Sequence, residues 1–352
     1  MRDNIIVVSD LHLGAPHSLL ANKQTQKRFV DAIKSIENIT SFVLLGDILD
    51  LTMSQNADVW NLASIFFKQL FTGLKGNPQI YYIPGNHDHH IWTLLIEQEG
   101  IIAPLHKIIS YPASGNHSLE ALKLQIDSFP PDSCNFVQAL FPEESRNRVW
   151  IKYPFFRTSA NGKPLFFHHG HYFDRKITPF AMKVAKKHKT DAGIISKIEE
   201  ANFAWIEGLF YFASLGRMSR EFLSRTYQRY EKILKYQRKV IRGTLFDWVS
   251  WFDEKIGGIP IERIKKLMKY IYNEPSYILV FGHTHKEDSH PDRSISMYNT
   301  GGWLIENKNG KGEVKPVILQ IKDSQIIPIE FEIKEDEIQE VLENARNISP
   351  FR

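Results

Sequence analysis

At 352 residues, 43% hydrophobic and 24% charged, the chain has enough apolar material for a sizeable core in one large domain or two, which excludes an intrinsically disordered protein. A single cysteine, Cys134, excludes an intrachain disulfide and a thiolate metal cage, so an ion must be held by His, Asp, Glu or Asn, and a reducing, cytoplasmic setting is expected. The net charge of +4 is unevenly spread: residues 171–270 hold 21 Lys and Arg against 11 Asp and Glu, a surplus of 10, which leaves the remainder at −6 and points to an anionic partner or substrate.

The N-terminus enters the apolar residues 5–8 with no basic region, long apolar run or small-residue cleavage site, so no export leader is expected. Residues 5–8, 42–45 and 80–83 are β-rich runs, separated by Phe29, Val30, Ile33 and Ile36 at helical spacing and by the amphipathic residues 62–70. This βαβαβ rhythm predicts largely parallel central strands covered by helices, with ligands bound at the strand C-termini. Residues 151–158 and 165–169 flank Asn161-Gly162, a turn signal that predicts a hairpin. From about residue 174 to 270 the pattern is helical, and Ser219 is placed to cap a run with Phe222, Leu223, Tyr227, Tyr230, Ile233 and Leu234 on one stripe. Residues 203–215 are cut by Glu207 and too short to span a bilayer, though they could lie on one. β-rich runs return at 277–281, 295–298, 317–321 and 326–331, so the helical block reads as an insertion within one α/β domain, and residues 335–352 as a surface helix that frays.

Each strand candidate is followed at once by residues able to bind a metal. Asp10 and His12 follow the first; Gly46-Asp47, with Asp50 three residues on, follows the second; Gly85-Asn86-His87-Asp88 follows the third. His169-Gly170 and Gly282-His283-Thr284-His285 follow the runs at 165–167 and 277–281. Carboxylate, imidazole and amide oxygen suit Mn, Fe, Zn or Co, and a carboxylate such as Asp47 can bridge two ions. Period-2 spacing in Asp10-x-His12 and His283-x-His285 would put both side chains on one side of an extended segment, and the glycines would let the backbone turn sharply. Two cations about 3.5 to 4 Å apart can activate water and polarise a phosphoryl oxygen, which favours in-line hydrolysis of phosphate esters. Of His168 and His169, neighbours that face opposite ways on a strand, His169 is the expected ligand; His171 returns to its side and is either a contact to ligand or substrate or a solvated loop residue. His17, His89, His90, His106, His117, His188 and His290 are expected at the surface, and Cys134 is expected to be inert.

The five blocks, in this order, resemble the calcineurin-like metallophosphoesterase superfamily over about residues 4–170 and 277–305, including Asn299-Thr300-Gly301 after the last block. The resemblance implies two packed mixed β-sheets flanked by helices, an αββα sandwich. It implies one divalent ion on Asp10, His12, Asp47 and His285 and a second on Asp47, Asn86, His169 and His283, with Mn favoured and Fe, Zn or Co accepted. It also implies attack of a metal-bridging hydroxide on a phosphate ester or pyrophosphate, with His87 as general acid. Asp50 matches the carboxylate that orients this histidine in some members, and Asp88 competes for that role. No Arg-Gly follows Asp50, where Leu51-Thr52 stands, so protein phosphatase activity is not expected.

The expected organisation is a metallophosphoesterase domain of residues 1–170 and 275–335, an inserted helical cap of residues 171–274 and a tail of residues 336–352. The cap's position resembles that in UDP-2,3-diacylglucosamine pyrophosphohydrolases, which carry Arg where His87 stands and a carboxylate where His171 stands. Thirteen aromatics within residues 203–252, interleaved with Arg and Lys, suit a membrane interface and a lipid-linked or nucleotide-sugar pyrophosphate. They also suit single-stranded nucleic acid, as in a nuclease or nucleotide phosphodiesterase. A non-catalytic scaffold presenting the helices to a membrane or partner is a third reading, against which the intact ligand set argues.

Overall fold

The computed structural model describes residues 3–52, 56–97, 135–160, 162–175, 177–188, 193–214, 254–308, 311–323 and 325–348. Strands β1 (Asn4–Val8), β2 (Ser41–Leu45), β3 (Gln79–Ile83) and β4 (Val149–Ile151) pair in parallel in the order β4-β3-β2-β1. The second run holds β5 (Phe155–Ala160) and β6 (Lys163–His168) as an antiparallel pair, with β6 parallel to β9 (Tyr277–Phe281). Between β6 and β9 in sequence lies a small hairpin, β7 (Lys255–Ile256) and β8 (Ile259–Pro260). β9 also pairs in parallel with β11 (Ile295–Lys308), whose other partner along the strand is the short antiparallel β10 (Glu287–His290). β12 (Lys311–Lys322) runs antiparallel to β1 and β11 and so joins the two runs into one curled sheet; β13 (Gln325–Glu330) pairs with β12.

Strand alternation sorts the side chains into three apolar layers. Ile6, Val8, Phe42, Leu44, Ile80 and Tyr82 face outward onto helices α1 (Lys23–Ser35) and α2 (Asn56–Phe71) through Phe29, Ile33, Phe66 and Phe67. Ile5, Val7, Val43, Leu45 and Ile83 turn the other way and meet Leu165, Phe167, Ile278 and Val280 between the two halves of the sheet. Phe166, Tyr277, Leu279 and Phe281 point to the far side, onto Ala181, Ala185, Ile198, Ile264 and Leu267. Two β layers between two helical layers make the expected αββα sandwich. Strands buried on both faces read as continuous apolar runs, which is why residues 5–8, 42–45 and 277–281 stood out in the sequence.

Among the described residues, two short helices complete the first half: α3 (His90–Glu97), directly after the third predicted motif, and α4 (Asn135–Gln138). The insertion contributes α5 (Ala181–Lys187), α6 (Ile194–Ser214) and α7 (Ile261–Ile271). The stripe from Ser219 to Leu234, most of the cap aromatics and Cys134 lie outside the described residues.

Some expectations need correction. Residues 151–158 are two strands, because the chain leaves β4 at Tyr153-Pro154, a cis peptide, and starts β5 at Phe155. The predicted hairpin is present, Ala160 lying opposite Lys163 with Gly162 at φ +75°. The C-terminal helix α8 (Glu335–Ile348) lies at the surface as expected but is docked by one face: Val341 and Leu342 are buried in the layer of α1 and α2, Arg28 pairs with Glu337, and Asn22 donates to Glu340.

Candidate metal centre

The five motifs meet at one edge of the sandwich. None of the two-residue-spaced pairs is extended: Asp10 (φ 52°), His12 (47°), Asp47 (50°), His283 (73°) and His285 (54°) all have left-handed backbone, which non-glycine residues rarely adopt. The expectation of period-2 spacing is therefore overturned. Each chain coils as it leaves its strand, and it is the coil that turns both side chains of a pair inward. Asp10 N–H and His12 N–H donate to the carbonyls of Gly46 and Asp47, so the first two motif loops lie side by side as a continuation of the β1–β2 pairing.

The glycines also act differently from the expectation. Only Gly46 (φ +78°) and Gly170 (φ +118°), among those that flank a ligand, have left-handed backbone. Gly85 and Gly282 supply clearance: a Cβ at Gly85 would lie 2.2 Å from Asp47 Oδ1, and one at Gly282 would lie 2.3 Å from Asp10 Oδ2. Gly46 does both, since its Cβ would strike the His169 ring at 2.4 Å.

Three sets of side chains bring donor atoms within 4.8 Å of one another: Asp10, His12 and His285; His12, Asp47 and His87; and Asp47, His169 and His283. Asp47 Oδ2 stands 3.9 Å from His12 Nε2 and 3.2 Å from His169 Nε2, between the first and third sets. Asn86 Oδ1 lies 3.2 Å from His169 Nε2, which places it with the third. All seven side chains expected as ligands are thus at one centre. The buried members are Asp10, His12, Asp47 and His169, whereas Asn86, His283 and His285 are partly exposed, so the centre opens on one side.

Each imidazole is oriented by a bond from its other nitrogen, which fixes the tautomer. His12 Nδ1–H donates to Asp50 Oδ2 at 3.2 Å, and His169 Nδ1–H to the Leu45 carbonyl at 3.2 Å. His285 Nδ1 faces Glu306 at 3.4 Å, and His283 Nε2 faces Asp174 at 3.3 Å. The second nitrogens of His12, His169 and His285, all Nε2, point into the centre, where they meet one another, Asp10, Asp47 and Asn86. Hard-to-borderline donors converging around shared atoms, with their outer nitrogens already committed, fit a first-row divalent ion.

The charges agree with the geometry. Burial pushes the Asp47 carboxyl up, but the imidazoles of His169, His87 and His12 outweigh it and hold Asp47 well below the ordinary carboxylate range. Burial disfavours charge on His169, yet Asp47 and Asp10 raise it to about 9. His285 is likewise raised, against burial, to about 10 by Asp10, Glu306 and Asp47. A divalent ion would displace the imidazole protons, since a ligating histidine is neutral, and would take their place beside the ionised carboxylates.

Of the remaining predicted residues, His87 sits at the open side with its side chain 29% exposed. Its Nδ1 lies 2.8 Å from Thr52 Oγ1 and 3.3 Å from Asp50 Oδ1, and the Thr52 hydroxyl donates to the same Asp50 oxygen. Burial lowers the His87 pKa, but Asp50 and Asp47 reverse this and hold it at about 9. Asp88 is turned elsewhere: it accepts from the backbone N–H of Asp47, Ile48, Leu49 and Gly85 and from Tyr82, and so ties the second motif loop to the third. Asp50, not Asp88, therefore contacts His87.

His171 is fully buried rather than solvated; its Nε2 lies 3.2 Å from Tyr153 Oη and its ring centroid 5.6 Å from that of His169. His168 faces away into the third apolar layer, its ring tilted against Phe155 at 4.2 Å between centroids, with Nδ1 accepting from Gly170 N–H. His89, expected at the surface, is 1% exposed and lies between Glu199 and Glu207 of α6; His90 also meets Glu207. Thr52, Asp174, Glu306 and Ser9, which bonds both Asp10 and Thr300, escaped the sequence reading. Thr52 alone had a signal, two residues after Asp50. Asp174 and Glu306 reach the centre only through the tertiary fold. Asn299 supports the last motif loop by donating to the Gly282 carbonyl and Thr284 Oγ1.

The model of the calcineurin-like phosphoesterases matches residues 4–287, and the chain belongs to this family. It is a metal-dependent phosphoesterase. No curated protein matches the chain. Among solved structures it is similar to the phosphoesterase Yfce from E. coli, at 11% identity over 94% of this chain and 100% of the other, with a TM-score of 0.32. It is similar also to a hypothetical protein from Pyrococcus horikoshii OT3, at 10% identity over 97% and 93%, TM-score 0.41. A third is wild-type Vps29 from Entamoeba histolytica complexed with zinc, at 10% identity over 94% and 99%, TM-score 0.31. Superpositions this loose add nothing to the family match and the geometry. Among the described residues no helix is long and apolar enough to cross a membrane.

Proposed function

We propose that the protein holds two divalent cations, Mn first among Mn, Fe, Zn and Co, and splits a phosphate ester or pyrophosphate at the open side of the centre. The observation that carries this reading is the placement of Asp47 Oδ2 between His12 Nε2 and His169 Nε2, with Asp10 and His285 beyond one and Asn86 and His283 beyond the other. Asp10, His12, Asp47 and His285 would hold one cation, and Asp47, Asn86, His169 and His283 the second. When bound, such ions supply Lewis acidity and make water a nucleophile at neutral pH. Asp50 and Thr52 hold the His87 ring by Nδ1 and leave Nε2 to face the substrate. Held at about 9 by carboxylates, and brought toward neutrality where cations offset the Asp47 charge, His87 is placed to give a proton to the leaving oxygen.

The substrate follows from the basic, aromatic insertion rather than from the centre. A lipid-linked or nucleotide-sugar pyrophosphate fits a block carrying a surplus of 10 positive charges inserted in the sequence between two metal-binding motifs, and a cytoplasmic enzyme peripheral to a membrane fits the same composition. The test is metal analysis and hydrolysis with added Mn, using bis-p-nitrophenyl phosphate, nucleotide sugars, lipid pyrophosphates and single-stranded DNA. Asp47→Asn is expected to lose metal and all turnover, and His87→Ala to keep metal and lose turnover. Two variants with unchanged metal content and rate would refute the assignment. DNA cleavage whose binding falls steeply with salt would replace the lipid reading with a nuclease.

A further inference from the structure

The best-connected buried polar cluster outside the centre lies under helix α6. Glu207 spans two adjacent imidazoles, with Oε1 2.5 Å from His89 Nδ1 and Oε2 2.9 Å from His90 Nδ1. Glu199, two helical turns earlier, approaches the other nitrogen of His89, Oε2 to Nε2 at 3.4 Å, and its Oε1 accepts from Tyr153 Oη at 3.1 Å and from Tyr172 Oη. Tyr153 in turn meets His171 Nε2 at 3.2 Å. His89, Glu199, Glu207, Tyr153, Tyr172 and His171 are each at most 3% exposed. Spacing of eight residues on a helix places both glutamates on one face, so one rigid element grips both nitrogens of His89.

The two segments it grips are the continuations of two metal-binding loops. His89 and His90 follow Asn86-His87-Asp88, and His171 and Tyr172 follow His169-Gly170. Asn86 and His169 are themselves 3.2 Å apart and belong to the same proposed cation. Asp10, His12 and His285, which serve the other, rest on Ser9, Thr300, Asp50 and Glu306. Burying two carboxylates costs several kcal/mol each unless every oxygen is matched, and here the matching groups come from both loops.

We propose that Glu199 and Glu207 are positioning residues which, by clamping the His89–His90 and His171–Tyr172 turns to α6, set the distance between Asn86 and His169 and thereby the affinity for the second cation alone. The inserted helical block is then an integral part of the centre. This inference rests on the two-cation reading above and makes it asymmetric: loosening α6 empties one site and leaves the other.

The test is Mn2+ titration of metal-stripped full-length protein by isothermal calorimetry, with bound metal counted after gel filtration, for wild type, Glu207→Gln, Glu207→Asp and Glu199→Gln, each checked for folding by far-ultraviolet circular dichroism. Wild type is expected to take two ions per chain. Glu207→Gln and Glu199→Gln should keep one ion at wild-type affinity and bind the second at least 10-fold more weakly, and their kcat should recover at high Mn with KM unchanged. Glu207→Asp, which keeps the charge, should lie between. Should Glu207→Gln not fold, Glu207→Asp and Glu199→Gln carry the same expectation. Wild-type affinity for both ions in every folded variant would overturn the proposal, as would equal weakening of both. Wild-type protein that takes no ion overturns the two-cation reading and this inference with it, whereas wild type with two ions and unchanged variants overturns this inference alone.

Discussion

Asp50 touches two histidines with one carboxylate: Oδ2 accepts a hydrogen bond from His12 Nδ1–H and Oδ1 faces His87 Nδ1. It therefore orients a ligand and the proposed acid together, and His12 and His87 hold its own pKa well below the ordinary range against the effect of burial. Asp50→Asn should lower kcat by about 10- to 100-fold, the usual penalty for removing a group that orients a ligand. Because Asp50 raises the pKa of His87, its loss should also move the alkaline limb of the kcat–pH profile to lower pH; an unmoved limb would remove Asp50 from that role. Gly85 offers a second test at this scale. A methyl there has no room beside Asp47, so Gly85→Ala should weaken Mn binding by at least 10-fold in calorimetry while circular dichroism stays unchanged. Residue types and order at the centre could be read from the sequence because the chemistry restricts them to a few side chains. The partners Glu306 and Asp174 could not, because any acidic residue at the right place in space would serve, whatever its place in the chain.

Helix α6 shows what a linear reading of charge leaves out. Glu207 interrupts the apolar run 203–215, and in the fold that charge is buried against His89 and His90. The docking carries a pH signature. His89 is raised from 6.5 to about 9, burial being outweighed by Glu199 and Glu207, and a raised pKa contributes stability that is complete below 6.5 and lost as pH climbs through 9. Glu207 is lowered from 4.5 to about 2 by His89 and His90, again against burial, so its share is complete above 4.5 and lost toward 2. The His89 shift is shared between Glu199 and Glu207 and the Glu207 shift between His89 and His90, so the His89–Glu207 pair accounts for part of each. Chemical denaturation of wild type and Glu207→Gln should therefore differ most between pH 4.5 and 6.5 and converge by pH 10; a constant gap would place the stabilisation elsewhere. Helix α8 taught the opposite lesson, since its charged composition hid an apolar stripe. Leu342→Ala should cost about 2 kcal/mol in the same assay, which a merely superficial helix would not.

At the scale of the whole molecule, three apolar layers hold five loops at one edge, and the alternation that sorts residues among them shows only in the fold, because the runs themselves are apolar at every position. The β-runs and their largely parallel sense were readable because strands buried on both faces carry unbroken apolar text and alternate with helical spacing. The joining of both halves through β11 and β12 was not, since those strands are longer and more polar than the apolar runs within them. Ions that bind only the folded chain must stabilise all of it. Chelation should lower the melting temperature by several degrees, and ions restored at 100 times their dissociation constant should return about 2.7 kcal/mol per site. No change on chelation would speak against a centre built into the fold.

The left-handed residues at the strand ends have one more implication. Asp10, His12, Asp47, His283 and His285 occupy backbone that glycine would accept without penalty, so the polypeptide keeps side chains there at a standing conformational cost. Replacing one of them with glycine therefore has two opposing effects: the backbone relaxes, but at His12 buried space is emptied and the Asp50 carboxylate loses its donor, so His12→Gly should abolish turnover and lower the unfolding temperature of the metal-stripped protein.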